Sequence, residues 1–274
     1  MAENNLQEKL EKLIHDLQFQ QKENQKSIEY ASYIQRALFP DKNLFKRIFP
    51  DHFIFFKPRD LVSGDFYWIN RKDNKLFLAV ADCTGHGVPG AFVSILGISL
   101  LNQIVSGNTP RNAAATLNLL REHIMAALNQ RGQHGEQKDG LDMSLAIIDT
   151  QEGTLNFSGA FNPLYIVRGN NLLQLEGDKM PIGVGADVEE SFTNHQYQLQ
   201  SGDMIYLFSD GFADQFGGPD NKKYKYRPFR SFLINIASKP LKKQEEMLNN
   251  EFERWKGDLP QLDDILIVGV RYNQ

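Results

Sequence analysis

Cysteine is nearly absent from this chain, since Cys83 is the only one among 274 residues. A single thiol can form neither an intramolecular disulfide nor a thiolate metal cluster, so both are excluded within one chain. The shortage is typical of proteins in reducing compartments, and we expect a cytoplasmic location.

Basic residues are not in excess, and long apolar runs are missing. The formal net charge is −4, so we expect no nucleic-acid partner, because phosphate-backbone binders usually carry a concentrated basic excess. The polar start, MAENNLQEKLEKL, does not resemble a secretory signal. The longest apolar stretch, residues 91–101, is interrupted by Ser94, Gly97 and Ser99, so we expect no membrane segment in this chain.

A long helix is predicted over residues 3–39, which contain neither proline nor glycine. A seven-residue register places these apolar residues on one seam: Leu6, Leu10, Leu13, Leu17, Ala31, Ile34 and Leu38. Gln20, Asn24 and Ser27 fall on the same seam and weaken its middle. The register predicts a parallel homodimeric coiled coil; the alternative is a helix docked on its own domain. We place a helical linker at residues 1–45 and a globular domain at residues 46–274.

Strand-like runs separated by turns follow from His52 onward. Strands are predicted at HFIFF, KLFLAVAD, MSLAIID, TLNFSGA, LYIVRG, DMIYLFSD and DILIVGVRY. Helices are predicted at about residues 89–105, 110–130 and 239–255, the second with Thr109 as N-cap and Pro110 in its first turn. Turn signals at residues 151–153 and 169–171 make much of the sheet antiparallel. The predicted fold class is α+β, with sheets covered by helices.

Four aspartates share one sequence context, at the end of a hydrophobic strand or beside a glycine turn: Asp65, Asp82, Asp210 and Asp263. Carboxylate oxygens are the hard ligands that Mg²⁺ and Mn²⁺ prefer, and grouped anions repel one another unless cations neutralise them. Any one such aspartate is more often a turn or cap residue. Four in matching contexts predict a metal site.

The segment ADCTGHGVPGA, residues 81–91, joins a strand to a helix through glycines that permit tight backbone geometry. Asp82 could bridge two ions here, while the backbone carbonyl of Cys83 completes one coordination shell. The Cys83 thiol has no evident activating base nearby, so we interpret it as a small buried residue. The loop matches neither the Walker pattern nor the dinucleotide fingerprint, which disfavours a nucleotide site.

Four segments in this order resemble the stage II sporulation protein E-type serine phosphatases of the PPM superfamily of metal-dependent protein phosphatases: GDFYW, ADCTGHGVPGAF, FSDGFADQFGG and LDDILIVGV. The resemblance spans about residues 40–272. It implies an αββα sandwich of two mainly antiparallel sheets flanked by helices, with two Mn²⁺ or Mg²⁺ ions at one end.

The resemblance also implies roles for the acidic residues. By position, Asp82 would bridge the two metals, Asp210 and Asp263 would hold the first, and Asp65 would serve the second directly or through water. Cys83 would contribute only its main-chain oxygen. Two cations flanking one water would lower its pKa and position it for direct attack on phosphorus.

Three further residues are candidates for the chemistry. His86 is a candidate proton donor to the departing serine oxygen, although a glycine-flanked histidine can simply hold the loop. Lys57 and Arg59 precede Asp65 and could orient the phosphate, or they could be solvated basic residues at a strand edge.

The function implied by the resemblance is a protein serine/threonine phosphatase acting on a phosphorylated regulatory protein, with anti-sigma-factor antagonists as typical bacterial partners. The helix that ends in SIEYASYIQRALFP resembles the family's switch element. Two alternatives stay open: a two-metal phosphodiesterase or nuclease, and a catalytically silent signalling module on the same fold.

Overall fold

The computed structural model describes residues 2–107, 111–131, 138–185 and 190–273. In chain order, its elements are α1 (Ala2–Leu38), α2 (Lys42–Ile48), β1 (His52–Lys57), β2 (Phe66–Lys72), β3 (Lys75–Cys83), α3 (Gly87–Ser106), α4 (Ala113–Ala127), β4 (Leu141–Asp149), β5 (Thr154–Ala160), β6 (Leu164–Arg168), β7 (Asn171–Leu175), β8 (His195–Gln198), β9 (Met204–Phe208), α5 (Gly211–Asp214), β10 (Phe216–Gly217), β11 (Lys222–Lys223), α6 (Tyr226–Ile236), α7 (Leu241–Lys256) and β12 (Ile265–Arg271).

Two five-stranded antiparallel sheets form the centre of the domain. The first has the order β1-β12-β9-β6-β7 and the second the order β2-β3-β4-β5-β8, while β10 and β11 form a separate hairpin. Asp149 pairs with Thr154 across the turn between β4 and β5, and Arg168 pairs with Asn171 across the turn between β6 and β7. Both predicted hairpins are confirmed.

Buried side chains form three layers. Leu117 belongs to the layer between α3, α4 and the second sheet. Phe157 and Leu266 belong to the layer between the two sheets, and Phe208 and Phe252 to the layer between the first sheet and α6 and α7. Burial of these apolar faces stabilises the stacking of helix, sheet, sheet and helix. The predicted αββα sandwich, and with it the α+β fold class, is confirmed.

The interior strand β12 shows why the apolar runs become strands. Leu266 and Val268 face the layer between the sheets, whereas Ile265 and Ile267 face α6 and α7. A strand buried on both faces needs a continuous apolar run with β-branched residues, and the segment ILIVGV supplies it.

Element boundaries differ from the predictions in a few places. The predicted cap Thr109 and first-turn Pro110 lie outside the described residues. As described, α4 begins at Ala113, because the extended Asn112 caps it by accepting a hydrogen bond from the backbone N–H of Ala115 at 3.0 Å. The strands β2, β7, β8, β10 and β11 and the helices α2, α5 and α6 have no counterpart among the predicted elements.

The long helix α1 contacts its own domain near its C-terminal end. Ser32 and Gln35 are buried, and the Gln35 amide donates to the Ser63 carbonyl at 2.5 Å and to Ser94 Oγ at 2.8 Å. The predicted apolar seam divides along the helix: Leu17 is 52% exposed, whereas Ala31 and Ile34 line a cavity against α3. The C-terminal part of the helix therefore docks on its own domain, and the exposed part of the seam lies nearer its N-terminal end.

The predicted domain boundary, between residues 45 and 46, falls inside α2. Asp41 caps this helix by accepting from the backbone N–H groups of Asn43 and Leu44. Phe45 and Phe49 are buried in the layer between the two sheets. The linker assignment of residues 1–45 stays a prediction, while α2 packs as part of the sandwich.

Helix α3 is long and apolar enough, by length and composition, to cross a membrane. Half of this helix is buried, and Leu101 and Val105 lie in the layer against the second sheet. A core helix has the same composition, and this one packs as a core helix.

Candidate active site

The predicted acidic residues meet at one end of the sandwich. Asp82, near the end of β3, pairs directly with Asp142 at the start of β4. Asp210 follows β9, and Asp263 precedes β12, which pairs with β9. In antiparallel strands, the end of one lies beside the start of the next. The topology therefore brings these carboxylates to a common rim.

A cavity of about 170 Å³ opens at this rim. Its lining residues are Asp82, Cys83, Thr84, Gly85, His86, Asp142 and Asp263. Asp65 and Asp210 lie outside this lining but are electrostatically linked to it. Burial raises the pKa of both Asp65 and Asp82; the charge of Asp82 then raises that of Asp65 further, and the charge of Asp210 raises that of Asp82 further. The four predicted aspartates thus belong to one cluster.

Burial and mutual repulsion raise the pKa values of the carboxyl groups in this cluster. Burial raises the pKa of Asp82 well above its usual value, and the charge of Asp210 raises it further. Burial, followed by the charge of Asp214, raises the pKa of Asp210 to about 6. Burial and the charge of Asp210 raise the pKa of Asp142 to about 7. Carboxyl groups held in this way favour a bound cation over mutual repulsion.

Asp65 and Asp264 are both buried, and each is fixed by hydrogen bonds. Asp65 accepts from Ser209 Oγ at 2.5 Å, which ties it to the residue before Asp210. Asp264 accepts from the backbone N–H groups of Arg59 at 2.7 Å and Gly64 at 2.8 Å. Asp264 thereby shapes the loop that presents Asp65.

Glycines allow the loops around the acids to touch. A Cβ on Gly90 would lie 2.1 Å from the Gly85 carbonyl oxygen, and one on Gly64 would lie 2.7 Å from the same atom. A Cβ on Gly211 would lie 2.0 Å from the Asp264 carbonyl oxygen. Side chains at these positions would push the motifs apart, so the glycines hold the acidic segments together.

His86 lines the cavity from the N-cap position of α3. Its side chain is half exposed, and Nδ1 lies 3.3 Å from a carboxylate oxygen of Asp60. Sequence reasoning missed Asp60, because a charged residue in an exposed loop gives no signal of its partner. The pair holds the imidazole at the rim of the cavity.

The two basic candidates occupy different surroundings. The Arg59 guanidinium donates to the Leu262 carbonyl at 3.0 Å, and its positive charge counteracts the burial that raises the pKa of Asp263. The Lys57 ammonium instead contacts Glu253 at 2.5 Å and lies over the ring of Phe252. The structure therefore brings Arg59 close to the cluster and holds Lys57 against α7.

Asp142 is the acidic residue of the cavity that sequence reasoning missed. It stands at the start of a strand, two residues after Gly140, and not at a strand end or directly beside a glycine turn. Antiparallel pairing places strand starts and neighbouring strand ends at the same edge. The signal that identifies Asp142 is therefore an acidic residue at the first positions of a predicted strand.

The donor chemistry fits a hard divalent cation. The cluster offers carboxylates and the main-chain oxygen of Cys83, which are ligands suited to Mg²⁺ and Mn²⁺. Within the described ranges, no group of three or more His, Cys, Asp or Glu side chains is arranged as a metal-ligand set. The fit therefore rests on donor type and on the raised pKa values of Asp82, Asp142 and Asp210.

An αββα sandwich with acidic residues at one end defines the class of PPM-type phosphatase domains, and comparisons with known proteins identify the family. The family model for Stage II sporulation protein E (SpoIIE) matches residues 72–273. The chain belongs to this SpoIIE family, so the resemblance seen in the sequence is confirmed.

Individual relatives agree with this assignment. The SiaA-PP2C domain of Pseudomonas aeruginosa has a TM-score of 0.83 and 33% identity, covering 92% of this chain and 98% of that domain. Phosphoserine phosphatase RsbU of Bacillus subtilis (strain 168) is 24% identical over 247 residues, 85% of this chain and 70% of RsbU. Stage II sporulation protein E of Priestia megaterium is 29% identical over 160 residues, 58% of this chain, and the match covers 25% of that relative.

Proposed function

We propose that this chain is a metal-dependent serine/threonine phosphatase that hydrolyses phosphoserine or phosphothreonine on a regulatory protein. The observation that carries the proposal is the acidic cluster at one end of the sandwich, in which Asp82, Asp142 and Asp263 line one cavity and Asp65 and Asp210 are electrostatically linked to them. The family's relatives include a phosphoserine phosphatase, RsbU.

In the proposed centre, Asp82 would lie between two Mn²⁺ or Mg²⁺ ions, Asp210 and Asp263 would hold the first, and Asp65 would serve the second directly or through water. The Cys83 carbonyl would complete one shell. When bound, the ions would lower the pKa of a shared water and offset charge on the phosphoryl oxygens.

Protein side chains would also orient the phosphate, and a protonated Cys83 thiol would not compete with water as the nucleophile. Arg59, near Asp263, is proposed to bind the phosphate as a charge partner. Lys57, which pairs with Glu253, is proposed to support α7 instead.

Burial, and then the charge of Asp82, raises the pKa of the Cys83 thiol well above its usual value. A thiol kept protonated is a poor nucleophile, which favours direct hydrolysis without a phosphoenzyme.

Phosphate release from a phosphoserine protein tests this function. We expect release with Mn²⁺, none with excess EDTA, and no cleavage of DNA or RNA in a parallel nuclease assay. Nucleic-acid cleavage without phosphate release would favour the phosphodiesterase alternative. Binding of the phosphoprotein without turnover under any metal condition would favour the silent signalling module.

His86 is proposed to donate a proton to the departing serine oxygen, a role favoured by its place in the cavity lining and its contact with Asp60. We expect His86→Ala to slow phosphoserine hydrolysis by roughly a hundredfold. Hydrolysis of p-nitrophenyl phosphate should fall far less, because p-nitrophenolate leaves without a proton. Equal losses on both substrates would assign His86 to loop structure.

The partner is proposed to be a phosphorylated regulatory protein, with an anti-sigma-factor antagonist as the bacterial example that the family suggests. A cytoplasmic site of action is part of the proposal, and the free, buried Cys83 is compatible with it. The acidic net charge of −4 supports a protein substrate over nucleic acid.

The exposed seam of α1 is proposed to form a parallel homodimer that regulates the site. Gln35 links this helix to both backbone groups of Ser63, two residues before Asp65. A shift of α1 on dimerisation would therefore reach the loop of a proposed metal ligand.

Leu17→Asp tests the coupling between assembly and turnover. The charge would face the partner helix at the seam, so the variant is expected to be monomeric and several-fold slower. The matched control is Gln18→Asp, which adds the same charge off the seam. Oligomeric state is measured by sedimentation and turnover by phosphate release. A monomeric variant with the parent's rate, or a variant that stays dimeric, would contradict the proposed coupling between dimerisation and turnover.

A further inference from the structure

A strongly basic segment lies beside the acidic cavity. Residues 221–230, NKKYKYRPFR, carry five positive side chains and no negative one, in a chain whose net charge is −4. The segment includes β11 and the first turn of α6. Its charge is therefore opposite to that of the cluster it adjoins.

Backbone hydrogen bonds anchor this basic segment to the helix that follows Asp210. The N–H of Lys225 donates to the Ala213 carbonyl at 2.7 Å, and the N–H of Tyr224 donates to the Gln215 carbonyl at 3.0 Å. Lys223 also pairs with Asp214 at 2.6 Å. Since α5 starts directly after Asp210, the segment is held at a fixed position next to the proposed centre.

The backbone at Lys225 is strained. Its φ of 71° and ψ of 155° belong to a region that glycine adopts readily and lysine rarely does. Strain of this kind is retained where the surroundings over-determine it, and it concentrates at functional sites. A lysine in a backbone conformation that favours glycine therefore indicates a functional role for the lysine side chain.

Two basic side chains of this segment are exposed and can bind a negatively charged partner. Lys222 and Lys223 are paired with Asp220 and Asp214. Lys225 and Arg227 are exposed, and neither takes part in an ion pair within the part of the chain that the structure describes. Their charges are therefore available at low desolvation cost.

We propose that this basic segment binds acidic residues flanking the phosphorylated serine or threonine of the protein substrate. The inference rests on the proposed function and adds a substrate class to it: phosphoproteins with carboxylates next to the phosphorylated residue. Lys225 and Arg227 attract those carboxylates, while the phosphate enters the cavity beside Asp82 and Asp210. Such contacts raise encounter rates and select between substrates.

The test compares two phosphoserine peptides that differ only in their neighbours, Asp and Glu in one and Asn and Gln in the other. With Mn²⁺ at low salt, the parent is expected to show a kcat/KM about tenfold higher for the acidic peptide, since two exposed charge contacts contribute roughly this much. The preference should shrink in 0.5 M NaCl, because the screening length falls well below 10 Å.

Arg227→Glu and Lys225→Gly are expected to reduce the preference to within about twofold. Lys225→Gly also relieves the backbone strain, so its Tm should not fall, and a lost preference cannot then be attributed to unfolding. Lys242→Glu, on the exposed surface of α7, is the matched control and should keep the parent's preference.

The outcomes separate this inference from the function on which it rests. Hydrolysis of both peptides at equal rates by the parent, or an unchanged preference in Arg227→Glu and Lys225→Gly, overturns the substrate class alone. Tight binding of a single-stranded oligonucleotide without any peptide preference reassigns the segment to nucleic acid. No hydrolysis of either peptide, or of p-nitrophenyl phosphate, removes the proposed function as well.

Discussion

Replacing Asp82 with asparagine is expected to lower phosphate release by roughly a thousandfold or more, because this residue is the proposed bridge between two ions. Asp82 lies at the centre of the cluster, where it pairs with Asp142 across the sheet and raises the pKa of Asp65. Removing one of its two anionic oxygens weakens both proposed metal positions together.

The same substitution should leave the fold intact. Burial raises the pKa of Asp82, and the charges of Asp210 and Asp263 add to that effect, so a neutral amide relieves repulsion in the metal-free protein. The Tm without metal is therefore expected to equal or exceed that of the parent. Asp258→Asn, at an exposed position, is the matched control. Full activity in Asp82→Asn would exclude the bridging role.

Metal-free protein is expected to lose stability as the pH rises from about 4 to 8. The pKa of Asp142 is raised from 3.8 to about 7 and that of Asp210 to about 6. A raised pKa means that the folded state binds the proton more tightly than the unfolded chain does. This contribution to stability is complete below pH 3.8 and disappears as the pH passes through 6 and 7. For Asp142 alone the shift corresponds to about 4 kcal/mol.

Denaturant unfolding of EDTA-treated protein at pH 5 and pH 8 measures this effect. Added Mn²⁺ should restore stability at pH 8, because a cation bound to the folded state replaces the lost protons. Asp142→Asn should show a smaller difference between the two pH values than the parent. A metal-free parent that is equally stable at both, or an Asp142→Asn variant with the parent's pH dependence, would contradict the account.

The sandwich could be predicted from the sequence because most of its buried strands are continuous apolar runs. The segment ILIVGV of β12 is buried on both faces and is apolar throughout. Strand β8 lies at a sheet edge, and its sequence His195–Gln198 alternates partly buried and exposed residues. Such an edge strand has no apolar run, so its pairing depends on β5 and is invisible in the local sequence.

The candidate site could be predicted as far as residue type and local context determine it. Asp82, Asp210 and Asp263 stand beside recognisable strands, and the structure brings the three side chains into one cluster. The partners of Lys57 and His86 could not be predicted, because Glu253 and Asp60 meet them only through the tertiary fold. Charge contacts between distant segments leave no periodic pattern in a sequence.

The proposed regulation through α1 requires that this helix contact its own domain and also present an exposed seam. Gln35 contacts the domain, while Leu17 on the seam is exposed. A coiled-coil register predicts the seam, but the hydrogen bonds to the domain come from Gln35, beside the buried Ser32, and both residues are polar and resemble solvent-exposed positions. The structure shows the contact of this helix with its own domain near its C-terminal end, and the coiled-coil dimer stays a prediction.

The most direct measurement is the number of Mn²⁺ ions bound per chain, determined by calorimetric titration of the 274-residue chain. We predict two ions for the parent and for Asp258→Asn, and loss of both from Asp82→Asn. A parent that binds no Mn²⁺, or an Asp82→Asn variant that binds two ions with the parent's affinity, would contradict a metal centre built on these carboxylates.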